Sequence, residues 1–267
     1  MSESPDVSAL NTSRRYNEWV GGKDHTGVER ESTKTILTVL PNMLAAAKEG
    51  RAVVMRAVRD LVAECGIRQI LDIGAGQPMK PNVHEVAQRI DPACRVVYVD
   101  NDPLVGVHHR GTVMSRREGR AEFQAGDLLN ADEILAGDQV KEVFDLGRPV
   151  AVLLASVLHL IEDDELAYAA VRRLRESLPP GSYLMIVHGT FDTLPEETRR
   201  AVRALIATGK HGAYRARSRA EIERFVDGLE LLEPGIVSSV EWRPDPAKPP
   251  QTSVADAMCY VVVAKLP

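Results

Sequence analysis

Ile70-Leu71-Asp72-Ile73-Gly74-Ala75-Gly76 is an apolar run that halts at two glycines, and residues 95–100 form a second apolar run that ends on Asp100. An apolar strand closed by a glycine turn, an amphipathic stretch, and a second strand ending in a carboxylate together grip a nucleotide-like ligand at the C-terminal edge of a parallel sheet. The glycines let a ligand come close to the backbone. The acid at the end of the second strand accepts hydrogen bonds from two ribose hydroxyls.

A dinucleotide turn needs glycine at a third position, G-x-G-x-x-G, so that the following helix can approach a pyrophosphate. Here the run continues Gln77-Pro78-Met79, and Met79 fills that place. Asp72 puts an acid beside the turn, where it attracts an ammonium and repels a pyrophosphate. S-adenosyl-L-methionine has an ammonium, a carboxylate, a sulfonium and an adenosine, and no phosphate. The residues therefore favour it over a nicotinamide dinucleotide.

Around this pair, strands and helices alternate. Val54, Val58, Leu61 and Cys65 recur at helical spacing over 51–65, and Gly66 stops that helix. Strands are predicted over 69–73, 95–100, 121–125, 150–155, 183–188, 229–240 and 257–264. Helices are predicted over 82–90, 103–114, 131–143, 163–178, 195–209 and 218–228. The last of these begins with a capping box, Ser218 and Glu221. Residues 150–155 are continuously apolar, as in a strand buried on both faces. The pattern predicts an α/β fold, a doubly wound Rossmann-like sheet of about seven strands. Residues 1–50 read as an N-terminal helical arm or lid whose first twelve residues fray. Residues 51–267 read as the ligand-binding domain.

The composition narrows the function classes. A chain of 267 residues fits one large α/β domain with a small appendage. Its net charge of −5 gives no basic field for nucleic acid. No apolar run reaches membrane-spanning length, and the polar start is no signal peptide. Cys65, Cys94 and Cys259 lie far apart and read as reduced, buried thiols of a cytoplasmic protein. His108-His109 has no partnering acids or cysteines, so no metal site is expected. The expected partner is a small-molecule substrate, without nucleic acid or membrane; a homodimer is compatible with the sequence.

Successive strand ends should converge on one rim. The first delivers Asp72, Ile73, Gly74, Ala75 and Gly76 to the amino-acid and ribose portions of the cofactor. The second delivers Asp100, with Asn101 and Asp102 behind it. After the third come Gly126, Asp127 and Leu128; the carboxylate can accept from an adenine amino group and the Leu128 amide can donate to a ring nitrogen. The fourth ends at Ala155 and Ser156, small enough to leave room beside a sulfonium. The bland alternatives are a strand end for Asp100, a turn residue for Asp127 and a helix cap for Ser156.

Methyl transfer from a sulfonium needs alignment and desolvation, and a base only for a nucleophile with a high pKa. His159 and His188 fall near the rim as candidate bases, against the alternative of histidines that merely pack there. His159 also counts among the cofactor contacts. In the arm, Tyr16, Trp19 and Lys23 suit a lid; a tyrosine can cover a sulfonium or hydrogen-bond the methionine carboxylate. The alternative is a helix simply packed on the sheet. Phe191, His211, Tyr214 and Arg215 are candidates for the acceptor wall.

Several stretches together resemble a known family. They are Arg15-Tyr16 with Gly21-Gly22-Lys23-Asp24 and Arg30-Glu31; residues 69–74 with Asn82-Val83-His84-Glu85-Val86-Ala87; Val97-Tyr98-Val99-Asp100-Asn101-Asp102-Pro103; Pro149-Val150-Ala151-Val152-Leu153 with Leu158-His159; residues 217–222 and 225–231; and Trp242-Arg243-Pro244. The chain resembles an actinobacterial S-adenosyl methyltransferase family first described only as a domain of unknown function. The resemblance covers nearly the whole chain. It implies the class I methyltransferase fold with its final strand inserted antiparallel, and an S-adenosyl-L-methionine cofactor leaving as S-adenosyl-L-homocysteine. It implies no particular acceptor. Trp19-Val20 and His25-Thr26 depart from the family's usual leucine pair and Asn-Phe around Gly-Gly-Lys-Asp, which bears on lid or substrate contacts. The expected activity is methyl transfer to a small molecule. The alternatives are a non-catalytic S-adenosyl-L-methionine-binding or regulatory protein and, less favoured, an NAD-dependent oxidoreductase.

Overall fold

The structure is a computed structural model that describes residues 8–267. Five strands run parallel: β1 (Gln69–Ile73), β2 (Arg95–Asp100), β3 (Arg120–Ala125), β4 (Ala151–Ala155) and β5 (Tyr183–Gly189). Three more complete the sheet: β6 (Glu230–Leu231), β7 (Val237–Ser238) and β8 (Cys259–Lys265). The spatial order is β3-β2-β1-β4-β5-β8-β6, with β7 also on β8. β8 enters antiparallel beside β5 and pairs antiparallel with β6 and β7. The chain builds outward from β1 to β3 and then returns to β1's other side with β4. That reversal opens a crevice at the carboxyl ends of β1 and β4, the usual ligand position in such sheets.

The central strands are buried on both faces. Leu71, Ile73, Val152 and Leu154 join one core, where α6 (Ala131–Ala136), α7 (Asp138–Val143), α8 (Asp164–Ser177) and α10 (Arg219–Glu223) pack. Ile70, Ala151 and Leu153 join the other, covered by α3 (Met43–Ala63) and α4 (Val83–Ile90). Side chains alternate along a strand, so Asp72 shares the α3 face with Ile70. α5 (Pro103–Thr112) lies against β2 and β3.

The arm consists of α1 (Thr12–Trp19), α2 (Gly27–Val39) and the start of α3, which runs unbroken through residue 50. Trp19, Ile36, Leu40, Ala46 and Ala47 form a third core with Val202 of α9 (Glu196–Ala207) and with Met258, just after α11 (Val254–Ala257). Two glycines make the α1–α2 turn. Gly21 has φ +92°, and a Cβ on Gly22 would lie 2.3 Å from the Asn17 amide, whose Oδ1 accepts from Asp24 N. Thr26, one of the departures from the family pattern, caps α2 in a capping box with Glu29.

Some predicted elements are divided. The strand predicted over 229–240 is two short pieces, because Pro234 has no N–H for a ladder and Gly235 turns the chain at φ +84°. The helix predicted over 131–143 breaks at Gly137, where a Cβ would meet Gln124 Oε1 at 2.1 Å. Gln124 fills that gap, donating to Ile134 O and accepting from Val140 N. The helix predicted over 218–228 passes at residue 224 into a 3-10 turn, Arg224–Val226. Of the predicted frayed start, residues 1–7 lie outside the described residues. Asn11 is bound: its side chain caps α1 through Arg14 N and donates to Asp102 Oδ2 at 2.7 Å.

Candidate functional site

The turn after β1 is held from several sides. Gly74 and Gly76 adopt φ +73° and +65°, conformations that favour glycine. Gly74 N and Ala75 N donate to Val99 O at 2.8 and 3.1 Å. Gly76 N donates to Asp100 Oδ2 at 2.8 Å, and His109 Nε2 donates to Gly76 O at 2.9 Å. Burial pushes the His109 pKa down to about 4, which keeps the ring neutral. A Cβ on Gly74 would sit 2.5 Å from Val157 Cγ2, so the backbone there lies flush against the loop after β4.

Asp72, Asp100, Asp102 and Asp127 reach the crevice in different states. Asp100 Oδ1 also accepts from Asp102 N at 3.0 Å, and burial raises its pKa. Asp102 caps α5 through Leu104 N while accepting from Asn11. Asp127 caps a 3-10 turn through Leu129 N at 2.9 Å and accepts from Asn101 Nδ2 at 2.9 Å. Asp72 is buried and makes no hydrogen bond through its carboxylate to the described residues. Desolvation pushes its pKa up to about 7; the Arg51 guanidinium opposes this rise and Asp100 adds to it. Arg51 belongs to α3 and donates to Met79 O and, at 2.8 Å, to Pro81 O.

These residues bound a cavity of about 470 Å³. Its wall includes Tyr16, Asp72, Ile73, Gly74, Ala75, Gly76, Asp100, Asn101, Asp102, Gly126, Asp127, Leu128, Ala155, Ser156 and His159. Ser156 is a non-glycine residue at φ +62°, and its N–H donates to Val187 O at 2.9 Å. Backbone strain of this kind concentrates at ligand sites.

Two predicted site residues do not reach the cavity. Lys23 is exposed at the α1–α2 turn and forms no part of the wall. His188 is fully buried behind it: Nδ1 donates to Gly189 O at 2.8 Å, and Nε2 accepts from Arg217 Nη1 at 3.1 Å. With both nitrogens engaged and its pKa pushed down to about 3 by burial, His188 has no route to a substrate proton. His159 differs. It borders the cavity, its Nδ1 has no hydrogen-bond partner, and burial holds its pKa well below the usual imidazole range. Its ring meets His188 edge-on at 5.7 Å.

A second chamber, of about 100 Å³, adjoins the first. Its wall is mainly apolar, with Trp19, Ile36, Leu40, Phe191, Leu205 and Met258. Arg15, Tyr16, Trp19, Ser156, His159 and Tyr214 border both spaces. Burial pushes the Tyr16 hydroxyl up to about 12. The Tyr214 ring lies 4.7 Å from that of His159, and its hydroxyl occupies the place of a Gly189 Cβ, 1.9 Å away. Phe191 and His211 join this wall, whereas Arg215 pairs with Asp164 at 2.9 Å and Glu221 at 2.6 Å instead. Arg51 and Asn11 carry no motif in the sequence that marks them as site residues. Arg51 had a signal: it continues the buried stripe of Val54 and Val58 one turn earlier, where a charged residue needs a reason.

A switch-point crevice with glycines on one strand end, carboxylates on the next two, and an antiparallel final strand defines the class I methyltransferase fold. The chain belongs to the S-adenosyl methyltransferase family, whose model matches residues 1–267, and its cofactor is S-adenosyl-L-methionine. A DUF574 family protein from Streptomyces avermitilis is 39% identical, with a TM-score of 0.92 over 98% of this chain and 99% of that one. A provisionally assigned methyltransferase from Thermobifida fusca is 33% identical, with a TM-score of 0.87 over 99% of each chain. The N-methyltransferase NodS of Bradyrhizobium japonicum, solved with S-adenosyl-L-homocysteine, shares the fold at 16% identity and a TM-score of 0.51, over 96% of this chain and 100% of that one. No curated protein sequence matches the chain. No helix among the described residues is long and apolar enough to cross a membrane.

Proposed function

We propose that the protein methylates a small molecule held in the second chamber, with the cofactor in the larger cavity. The observation that carries this reading is the mainly apolar chamber that meets the cofactor cavity at Tyr16, Ser156, His159 and Tyr214. Its size, below the roughly 150 Å³ of an engineered protein cavity that accepts benzene, admits only a small group of the acceptor and no macromolecule.

The residues present fit the cofactor. Asp72 has unmet acceptor capacity where an ammonium would lie, and Arg51 stands near it for the methionine carboxylate. Asp100 would accept from the ribose hydroxyls, with Asn101 and Asp102 shaping its loop. Gly74 and Gly76 leave room for close approach, while Ile73, Ala75 and Gly126 complete the floor. Asp127 and the Leu128 amide would meet the adenine, and Ala155 and Ser156 leave space beside the sulfur.

When bound, S-adenosyl-L-methionine supplies a methyl on an electron-poor sulfur, whose bond to carbon breaks toward sulfur as the acceptor bonds the carbon. His159, held neutral by burial, takes the acceptor's proton where the nucleophile carries one. Tyr16, Trp19 and Tyr214 exclude water and fix the acceptor's approach.

Calorimetry with S-adenosyl-L-homocysteine and, separately, NADH tests the cofactor half. Homocysteine-conjugate binding without NADH binding is expected, and the reverse removes the reading. Acceptor-dependent release of S-adenosyl-L-homocysteine tests turnover across hydroxyl, amine and carboxyl acceptors. Tight cofactor binding with no release from any of them favours a non-catalytic protein.

A further inference from the structure

Three arginines are almost wholly buried: Arg14, Arg15 and Arg217, at 5%, 4% and 0% exposure. Arg14 pairs with Glu29 at 3.0 Å and Arg217 with Asp164 at 2.9 Å. Arg15 has no carboxylate at ion-pair distance among the described residues. Its Nη1 donates to Ser32 Oγ at 3.1 Å and to His211 O at 2.5 Å, and its guanidinium lies 5.0 Å from the Trp19 ring centroid. Its Nε is buried without any partner, and Nη2 makes no hydrogen bond to the described protein. Nε therefore lacks a partner, and Nη2 beside it is free to donate into the cavity. Desolvation pulls the Arg15 pKa down to about 10, so the group remains a cation. The one carboxylate that stabilises this cation through space, Glu29, is already paired with Arg14, and a two-donor guanidinium edge matches a carboxylate.

The position indicates which ligand the edge serves. The amino-acid end of the cofactor is marked by Asp72 and Arg51. The partners that aim Arg15 are different: Ser32, His211 and Trp19, of which His211 borders only the second chamber. Arg15 borders both cavities, and the His211 carbonyl that holds its Nη1 belongs to the acceptor side.

We infer that the methyl acceptor is a small organic acid whose carboxylate pairs with the Nε–Nη2 edge of Arg15 and whose apolar body reaches from the shared wall into the second chamber. This rests on the reading that the second chamber holds the acceptor. It also fits the chamber's polarity: the remaining wall is mainly apolar and aromatic, with no second lysine or arginine among the described residues that line it.

The test uses the full-length protein loaded with S-adenosyl-L-homocysteine. Benzoate, phenylacetate and 4-hydroxybenzoate, each beside its primary amide, are titrated and followed by calorimetry and saturation-transfer NMR. At least one carboxylate should bind about tenfold or more tightly than its amide, the scale of a charge-assisted hydrogen bond. Arg15→Gln should erase that preference and Arg15→Lys should reduce it, with the carboxylate-to-amide ratio read at saturating S-adenosyl-L-homocysteine and thermal melting reporting that both variants fold. Absence of a carboxylate preference in the wild type, including absence of carboxylate binding, overturns the proposal. So does a preference that survives Arg15→Gln. Loss of S-adenosyl-L-homocysteine affinity in Arg15→Lys reassigns the cation to the cofactor and also overturns it. If the wild-type chain binds no S-adenosyl-L-homocysteine, the functional reading fails first and the inference falls with it.

Discussion

The N–H of Gly76 donates to Asp100 Oδ2 across the ends of two neighbouring strands, 24 residues apart in sequence. The glycine turn and the acid that defined the fold are thus one hydrogen-bonded unit, and Asp100 orders the turn as well as facing a ribose. Asp100→Ala should weaken S-adenosyl-L-homocysteine binding by roughly 1–3 kcal/mol, through both losses. Asp100→Asn, which keeps one acceptor but loses the charge, should fall between. Calorimetry measures this, and unchanged affinity in Asp100→Ala would remove the assigned role.

Asp72 sets a pH dependence with a definite sign. Its folded pKa, about 7, lies above the ordinary carboxylate range, so the ligand-free fold prefers the protonated acid. The ligand-free protein should therefore lose stability as pH rises from about 4, the unfolded value, through about 7. An incoming ammonium reverses the preference. S-adenosyl-L-homocysteine affinity should climb with pH toward 7, and binding at pH near 6 should release protons, read from calorimetry in buffers of different ionisation enthalpy. In Asp72→Asn both trends should flatten. Proton uptake on binding would contradict this account.

Gly74→Ala meets two obstacles at once, a left-handed backbone and Val157 Cγ2 at 2.5 Å. The strain alone is worth roughly 1–2 kcal/mol, and overpacking roughly 1–3 more. The melting temperature should drop by several degrees. Combining it with Val157→Ala should recover only the packing part; full recovery would show that backbone conformation contributes nothing there.

His159 should stay neutral across the pH range in which an exposed imidazole titrates, near about 6.5. NMR of its ring protons should show no transition there. His159→Asn should leave S-adenosyl-L-homocysteine binding intact and, for an acceptor that must lose a proton, slow turnover by about 10²–10⁴. A His159 midpoint at the ordinary value would mean the ring is open to solvent.

Asn11 fastens the arm to the rim through Asp102 at 2.7 Å while capping α1. Asn11→Ala should loosen α1 by about 1 kcal/mol. Faster amide exchange in residues 12–19 and faster S-adenosyl-L-homocysteine dissociation are the expected signs. Unaltered exchange would show that Trp19 and the third core hold the helix without this contact.

Much of this site could be read in the sequence because it lies at strand ends, where glycines, acids and apolar runs leave a linear trace. Asp72, Gly74, Gly76, Asp100 and Asp127 each stand where a strand stops, so a one-dimensional pattern locates them. The arm leaves no such trace. Arg15 and Asn11 approach from a helix whose docking depends on Trp19, Ile36 and Met258 meeting across distant parts of the chain. Lys23 sits in the quoted arm motif, but the Gly21-Gly22 turn carries it outward. His188 ended a rim-directed strand as expected, yet Arg217, 29 residues on, closes over it. Burial on both sides of that strand end is a property of the return chain, which local spacing does not encode.

One short helix, α1, presents Arg15, Tyr16 and Trp19 to both chambers. The two ligands consequently share a ceiling. A substitution on this helix that widens acceptor tolerance will also disturb how long the methyl donor stays, so evolution cannot adjust the two independently there. Diversification of acceptor choice within such a scaffold is steered instead toward surfaces that touch one chamber alone, such as Ile36, Leu205 and His211.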